Sequence, residues 1–206
     1  MANFTRNGYG QVEPNQLSAQ KTGQIYASLP LDSSVKVLQN GEFMYYDYAT
    51  GKVTAGDGST VGEPMLVFNE IKLYEPFWQT SYKDFAMIRV GDNYVTSRLA
   101  TAAYGENSDK QQAATINPAH TEYGYRMDGI APRLLKTNIG DIYTTNMVKT
   151  GTDVTYAAGD VLKLKKTDRN TLELDKDGDI DTVQFVVAKV YTMPDGQAGL
   201  KLQRVK

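Results

Sequence analysis

Four segments decide the fold: RLLKTNIGDIYTTNMV (133–148), AAGDVLKLKK (157–166), NTLELDKDGDIDTVQFVVAKVYTMPDG (170–196) and AGLKLQRVK (198–206). Within them, short runs of alternating or β-branched residues are separated, roughly every eight to twelve residues, by Gly, Asp, Asn and Pro. That spacing is typical of short antiparallel strands in a sandwich or barrel. We therefore predict a C-terminal small β-barrel over residues 131–206.

The apolar residues of these segments predict a sheet with one buried face and one solvent-exposed face, because successive side chains of a strand point to opposite sides. Val186, Ala188 and Tyr191 are assigned to one face. The other, apolar face is predicted to contain Val161, Leu162, Leu164, Leu172, Leu174, Val183, Phe185, Val187, Val190, Leu200, Leu202 and Val205.

The length, net charge and cysteine count of the chain argue against several classes of protein function. The chain has 206 residues, enough for one large domain or two small ones. A formal net charge of -2 argues against a nucleic-acid partner, which usually requires a basic surface. With Cys 0 there are no disulfides, thiolate metal sites or cysteine nucleophiles. No apolar run approaches the roughly 20 residues of a membrane span, and the first residues show no secretory signal, so we expect synthesis in the cytoplasm.

Residues 1–34 predict an extended N-terminal arm. Their apolar residues are scattered, and Gly23 interrupts the one segment with helical character, QLSAQKTGQIYASL. Such a segment buries little surface alone and is expected to become ordered on a neighbour. It is either a loose terminus or an arm that reaches another subunit. The contact residues of such an arm would be Phe4, Tyr9, Leu17, Ile25, Tyr26 and Leu29.

Residues 35–130 predict a middle antiparallel β region. Asn40-Gly41 is a hairpin signal, Thr50-Gly51 and GDGS (56–59) indicate further turns, and MLVFNEIKLYE (65–75) predicts a strand. FAMIRV (85–90) and YVTSRLA (94–100) predict another hairpin. The polar stretch 105–124 predicts a long loop that contacts something outside its own domain. Tyr45, Tyr46 and Tyr48 fit either cross-strand packing or an interface.

Few residues favour catalysis or metal binding. DKDGDID (175–181) resembles the start of a calcium loop, but Ile180 and Val186 replace the expected glycine and bidentate acid, and a hairpin turn fits equally. The only histidine, His120, lies in a polar stretch, and no nucleophile elbow or phosphate loop occurs. Lys163, Lys165, Lys166 and Arg169 are expected on a solvated face. We therefore predict no catalytic residue, cofactor or metal, although a pair of carboxylates of the glycosidase type remains an alternative.

Trp78 lies among the aromatic residues of EPFWQTSYKDF. A solitary tryptophan of this kind is either a core or interface anchor, or a platform that stacks on a sugar. We include Trp78 among the predicted partner-contact residues.

The sequence also resembles a family of structural proteins from tailed bacteriophages, the head-decoration or cement proteins. The resemblance lies in VEPNQLSAQKTGQIYASLPL (12–31), LQNGEFMYYDYATGKV (38–53), PMLVFNEIKLYE (64–75), APRLLKTNIGDIYTTNMV (131–148) and FVVAKVYTMPDGQAGLKLQRV (185–205). It implies a non-enzymatic virion protein on the capsid surface, with the major capsid protein as partner. It assigns no role to any single residue.

These observations predict a mainly β protein that binds the outer surface of a capsid and stabilises the shell. It would be made in the host cytoplasm, without nucleic-acid or membrane partners, and would form a homo-oligomer, which we expect to be a trimer at a quasi-threefold site. Alternatives are a head-fibre or tail-associated virion protein, a carbohydrate-binding β module, and a glycan or cell-wall hydrolase.

Overall fold

A computed structural model describes residues 4–6, 10–35, 37–57, 60–69, 87–89, 131–194 and 196–206. In chain order the elements are β1 (Val12–Gln16), α1 (Ser18–Thr22), β2 (Ile25–Tyr26), β3 (Val37–Gln39), β4 (Phe43–Asp47), β5 (Lys52–Thr54), β6 (Met65–Val67), β7 (Met87–Arg89), β8 (Leu134–Leu135), β9 (Ile142–Thr145), β10 (Val161–Lys166), β11 (Leu172–Asp175), β12 (Ile180–Thr192) and β13 (Ala198–Arg204). The prediction of a mainly β chain is confirmed for these residues.

Most of the strands form one antiparallel sheet in the order β1-β9-β13-β12-β10-β11-β4-β6-β8-β2, with β5 paired to β4. β3 and β7 form a separate pair. The sheet is not closed by hydrogen bonds, since β1 and β2 stand at its two ends, so the predicted barrel is not confirmed. The three predicted regions, 1–34, 35–130 and 131–206, share this one sheet, and it does not divide at their boundaries.

Residues 10–31 are not a free arm, which corrects the prediction. β1 pairs with β9 and β2 pairs with β8, so one segment supplies both ends of the sheet. Leu17 and Ala19 between them are buried in the core. A segment with scattered apolar residues can still fold within its own chain, because strand pairing satisfies its backbone and a few side chains fill the core.

This connection shows that the sheet is strongly curved. Laid flat, ten strands would span nine gaps of about 4.8 Å, or roughly 43 Å. Residues 17–24, which include the turn of helix α1, reach only roughly 20 Å between the two end strands. The sheet must therefore bend until its two edges approach each other, with its apolar face on the inside.

The inner face carries most of the residues predicted for it. Leu162, Leu164, Leu172, Leu174, Val183, Phe185, Val187, Leu200 and Leu202 are buried. Val161 is exposed because it directly neighbours the buried Leu162 in β10 and so points to the opposite face. Val205 is exposed directly after the buried Arg204, the last residue of β13. Val190 is 44% exposed although its β13 partner Leu200 is buried.

Two predicted hairpins are turns without hairpin pairing. Asn40-Gly41 makes a turn, but β3 before it pairs with β7, and β4 after it pairs with β5, β6 and β11. The DKDG turn joins β11 to β12, yet both of these strands pair with β10, one on each side. The connection 176–179 therefore crosses over β10. The turn predicted at Thr50-Gly51 is confirmed, and it closes a hairpin, because β4 pairs with β5.

The crossing explains why residue 178 is a glycine. A Cβ added to Gly178 would lie 2.6 Å from both the carbonyl carbon and the carbonyl oxygen of Lys163, which belong to the β10 backbone. We expect Gly178→Ala to lower the free energy of unfolding by about 1–3 kcal/mol, the usual cost of overpacking. Chemical denaturation measures it. Gly151→Ala is the matched control, because its nearest contact is the side chain of Val154 at 3.2 Å. Equal stabilities of the two variants would contradict the crossing.

Several predictions concern residues outside the described part of the chain. They are the contact residues Tyr9 and Trp78, His120, the long loop 105–124, the strand at 94–100, and the later part of the strand predicted at 65–75. Of FAMIRV, the backbone of β7 is described and is a strand, as predicted.

Candidate functional site

Glu42 is an ionisable side chain that lies entirely within the core. Its Oε2 accepts a hydrogen bond from the backbone N–H of Gln39 at 2.7 Å. Its Oε1 accepts from Thr171 Oγ1 at 2.9 Å and from Arg169 Nη2 at 2.6 Å. Glu42 follows Gly41, whose φ of 93° is accessible to glycine without strain. This turn brings the Glu42 carboxylate within hydrogen-bonding distance of Gln39, the last residue of β3.

Arg169 lies in the loop between β10 and β11. The N–H of Thr167 donates to the carbonyl oxygen of Thr171 at 2.8 Å and closes the loop. Asn170 has a φ of 60°, a left-handed conformation that asparagine adopts more readily than most residues. Arg169 Nη2 also lies 3.5 Å from Glu173 Oε2, so the loop presents one cation to two carboxylates.

Arg6, near the N-terminus, approaches the same carboxylate, that of Glu173. Arg6 Nη2 lies 4.0 Å from Glu173 Oε2, and Arg6 Nη1 donates to the carbonyl oxygen of Val148 at 3.3 Å. Phe4 packs edge-on against Tyr156, with ring centroids 5.2 Å apart. We call Arg6, Glu42, Arg169 and Glu173 the ion cluster. It joins the N-terminus, the turn before β4 and the β10–β11 hairpin.

Burial dominates the electrostatics of the ion cluster. Burial raises the pKa of the Glu42 carboxyl to about 7, although Arg169 and the hydrogen bonds from Gln39 and Thr171 favour the charged form. Burial also raises the pKa of Glu173 against the attraction of Arg6 and Arg169. The pKa of Arg6 is lowered for the same reason. The cluster therefore contains a carboxyl group that changes charge near neutral pH.

This shift predicts how stability depends on pH. The folded protein binds a proton at Glu42 more readily than the unfolded chain, whose glutamate has the ordinary pKa of about 4.3. Stability should therefore fall as pH rises from about 4.5 to about 7, by on the order of 1–3 kcal/mol. Denaturation at a series of pH values measures this slope. Glu42→Ala should flatten it, and an unchanged slope in that variant would assign the effect to other groups.

Asp175, the first acid of the segment that resembles a calcium loop, is held by other contacts. Asp175 Oδ2 lies 3.0 Å from Lys149 Nζ and 3.9 Å from Lys165 Nζ, and its Oδ1 accepts from the N–H of Asp177. Within the described residues no group of three or more His, Cys, Asp or Glu side chains could hold a metal ion. The turn thus serves the crossing over β10, and the calcium alternative is not supported by its geometry.

A second polar centre lies at Arg204, whose side chain is only 5% exposed. It forms an ion pair with Glu63 at 3.2 Å and donates to the carbonyl oxygen of Thr137. Three exposed apolar side chains are near neighbours in sequence of residues bonded to Arg204: Val61, Ile139 and Val205. Val61 is 90% exposed and Ile139 is 74% exposed. We call Val61, Ile139 and Val205 the apolar rim of Arg204.

A row of tyrosines leads from the core to the surface. Tyr26 and Tyr46 have ring centroids 5.3 Å apart, and Tyr46 and Tyr48 have centroids 5.1 Å apart. Tyr46 is buried, and its hydroxyl accepts from the N–H of Ser28, whereas Tyr48 is 75% exposed. Tyr46 therefore fits the interpretation of packing within the chain, whereas Tyr48 lies open on the surface and the interface interpretation stays a prediction.

The predicted contact residues that lie in the described part of the chain do not form one outward face. Phe4 and Leu17 are buried in the core of their own chain. Ile25, Tyr26 and Leu29 are partly buried and pack against that core. To contact another subunit, these side chains would first have to leave the core of their own chain.

Sequence reasoning missed Glu42 and misplaced Arg169. Lys165 and Lys166 are exposed as predicted, but Arg169 lies against a buried carboxylate. The two partners are 127 residues apart, and no local pattern joins them. The one usable signal is a charged residue directly after a turn glycine and before an apolar strand.

Among the described residues, no helix is long and apolar enough to cross a membrane. Comparison with known proteins gives no further assignment: no family model, curated protein or solved structure matches this chain.

Proposed function

We propose that this protein is a virion structural protein that binds the outer surface of a phage capsid and stabilises the shell without catalysis. The observation that carries the proposal is the apolar rim of Arg204, where Val61 and Ile139 are exposed on loops. An ion pair between the buried Arg204 and the half-exposed Glu63 connects the loop of Val61 to β13, and the hydrogen bond from Arg204 to Thr137 connects the loop of Ile139 to the same strand. Exposed apolar side chains on loops that are fixed to one buried side chain are suited to a contact surface. The sequence resemblance supplies the partner, the major capsid protein.

The mechanism would be mass action. A protein that binds only the assembled shell stabilises it by about 2.7 kcal/mol per site at a hundredfold excess over Kd. Every copy adds its own contribution, so a rigid protein with a small contact surface is sufficient. A trimer at a quasi-threefold site would present three such surfaces and gain from multivalency.

Co-sedimentation with shells assembled from the major capsid protein of the same genome tests this proposal. We expect the chain to sediment with intact shells and not with free coat subunits. Val61→Asp and Ile139→Asp should each weaken shell binding at least tenfold, because an apolar contact is replaced by a charge that must be desolvated.

Val190→Asp is the matched control. Val190 is a valine that is 44% exposed, and it lies on β12 five residues, or roughly 17 Å, from Phe185, the strand partner of Arg204. It should bind shells as the unchanged chain does. Absence of any shell binding by the unchanged chain would refute the decoration function, and association with tails or fibres would favour the other virion roles.

Carbohydrate binding is a second candidate, favoured by Tyr48. Its ring is 75% exposed and supported from behind by Tyr46, an arrangement suited to stacking on a sugar. A glycan array with the unchanged chain and Tyr48→Ser separates the two functions. Sugar binding that Tyr48→Ser abolishes, without any shell binding, would favour the carbohydrate module.

A further inference from the structure

The N-terminal residues occupy a groove in the way that a peptide ligand would. The N–H of Phe4 donates to the carbonyl oxygen of Val154 at 2.7 Å, and the carbonyl oxygen of Phe4 accepts from the N–H of Gly151 at 3.3 Å. Together with the ring contact to Tyr156, the backbone and the side chain of Phe4 are both held. We call residues 148–156 and Glu173 the N-terminal groove.

Arg6 provides a second anchor, two residues further along. Its guanidinium donates to the carbonyl oxygen of Val148 and faces Glu173. Thr5, between the two anchors, is exposed. An apolar anchor, an outward residue and a basic anchor form the alternating pattern by which extended peptides bind to a groove.

None of the groups shown above to contact Phe4 and Arg6 belongs to the N-terminal segment itself. All the partners of Phe4 and Arg6 named above lie in residues 148–173, and the Arg6–Val148 pair is separated by 142 residues in sequence. The backbone bonds, the aromatic contact and the ion pair therefore do not depend on which chain supplies the peptide. A copy of the same segment from another molecule would make identical contacts.

We propose that the N-terminal groove is a peptide-binding site that accepts residues 4–6 of a second copy of this chain, so that neighbouring copies are linked by exchange of their N-terminal segments. The two forms have the same groove contacts and differ in how the segment is connected. In dilute solution the tethered segment has the higher effective concentration and occupies its own groove. Exchange becomes favourable where copies are crowded together. This inference does not depend on capsid binding.

A peptide-binding assay tests the proposal with the full-length chain. The probe is a fluorescently labelled peptide of residues 1–10, and its anisotropy reports binding. The chain carrying Phe4→Ala should bind the peptide at least tenfold more tightly than the unchanged chain, because its own segment competes less. A peptide with Phe4→Ala or Arg6→Ala should lose at least tenfold in affinity, whereas a Thr5→Ala peptide should bind normally because Thr5 is exposed.

Disulfide trapping gives an independent measurement that does not weaken the anchor, and the absence of native cysteine keeps its background low. Thr5 and Thr152 are both exposed and flank the Phe4–Gly151 hydrogen bond. At high concentration, a mixture of Thr5→Cys and Thr152→Cys chains should form mixed disulfide dimers. A mixture of Thr5→Cys and Lys189→Cys chains, in which residue 189 is exposed on β12, should form fewer.

No peptide binding by a folded Phe4→Ala chain would overturn the proposal. So would equal yields of the two mixed dimers. Neither assay contains shells, so failure here leaves the decoration function standing, and failure of shell binding leaves the groove standing.

Discussion

Glu42→Ala is expected to lower the free energy of unfolding by about 3–5 kcal/mol at pH 8, the usual cost of removing one partner from a buried ion pair. The substitution leaves Arg169 without its 2.6 Å partner. It also leaves the N–H of Gln39 and the hydroxyl of Thr171 without the carboxylate that accepts from them. Urea denaturation followed by tyrosine fluorescence or circular dichroism measures the loss.

The matched control is the double variant Glu42→Met with Arg169→Met. Replacing both partners by apolar residues of similar size should cost less than Glu42→Ala alone, since no charge remains unpaired. Arg169→Met alone completes a double-mutant cycle and gives the coupling energy. A loss below about 1 kcal/mol for Glu42→Ala would show that the carboxylate contributes little to the fold.

Leu17→Ala is expected to lower the free energy of unfolding by about 2–5 kcal/mol, the range for a buried leucine truncated in a core. Leu17 is only 2% exposed and lies between β1 and helix α1, within the segment that sequence alone predicted as an arm. Its loss leaves a cavity and weakens the connection between the two ends of the sheet. Thermal and chemical denaturation provide the measurement.

Lys21→Ala, in the helix that directly follows Leu17, is the control, and the Lys21 side chain is exposed. It should change stability by no more than about 0.5 kcal/mol. Equal, small effects of Leu17→Ala and Lys21→Ala would restore the interpretation of this segment as an arm outside the folded core.

The buried face of the C-terminal strands could be predicted from sequence. Alternation in VLKLKK and TVQFVVAKV gave the correct inward residues at Leu162, Leu164, Val183, Phe185 and Val187, because the side-chain period of a strand is local and fixed. The prediction was wrong at Val161, which was placed on the same face as its neighbour Leu162 although adjacent residues of a strand point to opposite faces.

The N-terminal segment shows the limit of this reasoning. Its scattered apolar residues gave no period, so the segment was predicted to lie outside the fold. In the structure Asp141 holds this segment in the fold. Its carboxylate accepts hydrogen bonds from the N–H and the hydroxyl of Ser18 and from the N–H of Asn138. The two bonds from Ser18 connect positions 123 residues apart, and no local pattern within residues 10–31 predicts them.

The candidate sites could not be located from sequence for the same reason. Glu42 meets Arg169 and Thr171 only because β4 pairs with β11 in the finished sheet. The groove for Phe4 and Arg6 likewise exists only after residues 148–156 and β11 are in place.

By itself, the sequence determined that this chain is built of antiparallel strands and which side of the C-terminal strands is apolar, because both follow from the spacing of neighbouring residues. Only the tertiary structure decided the order of the strands, the place of the N-terminal segment at both ends of the sheet, and the partners of the buried charges. Those features depend on which distant segments pair, and that choice is made by the packing of the whole core rather than by any local pattern.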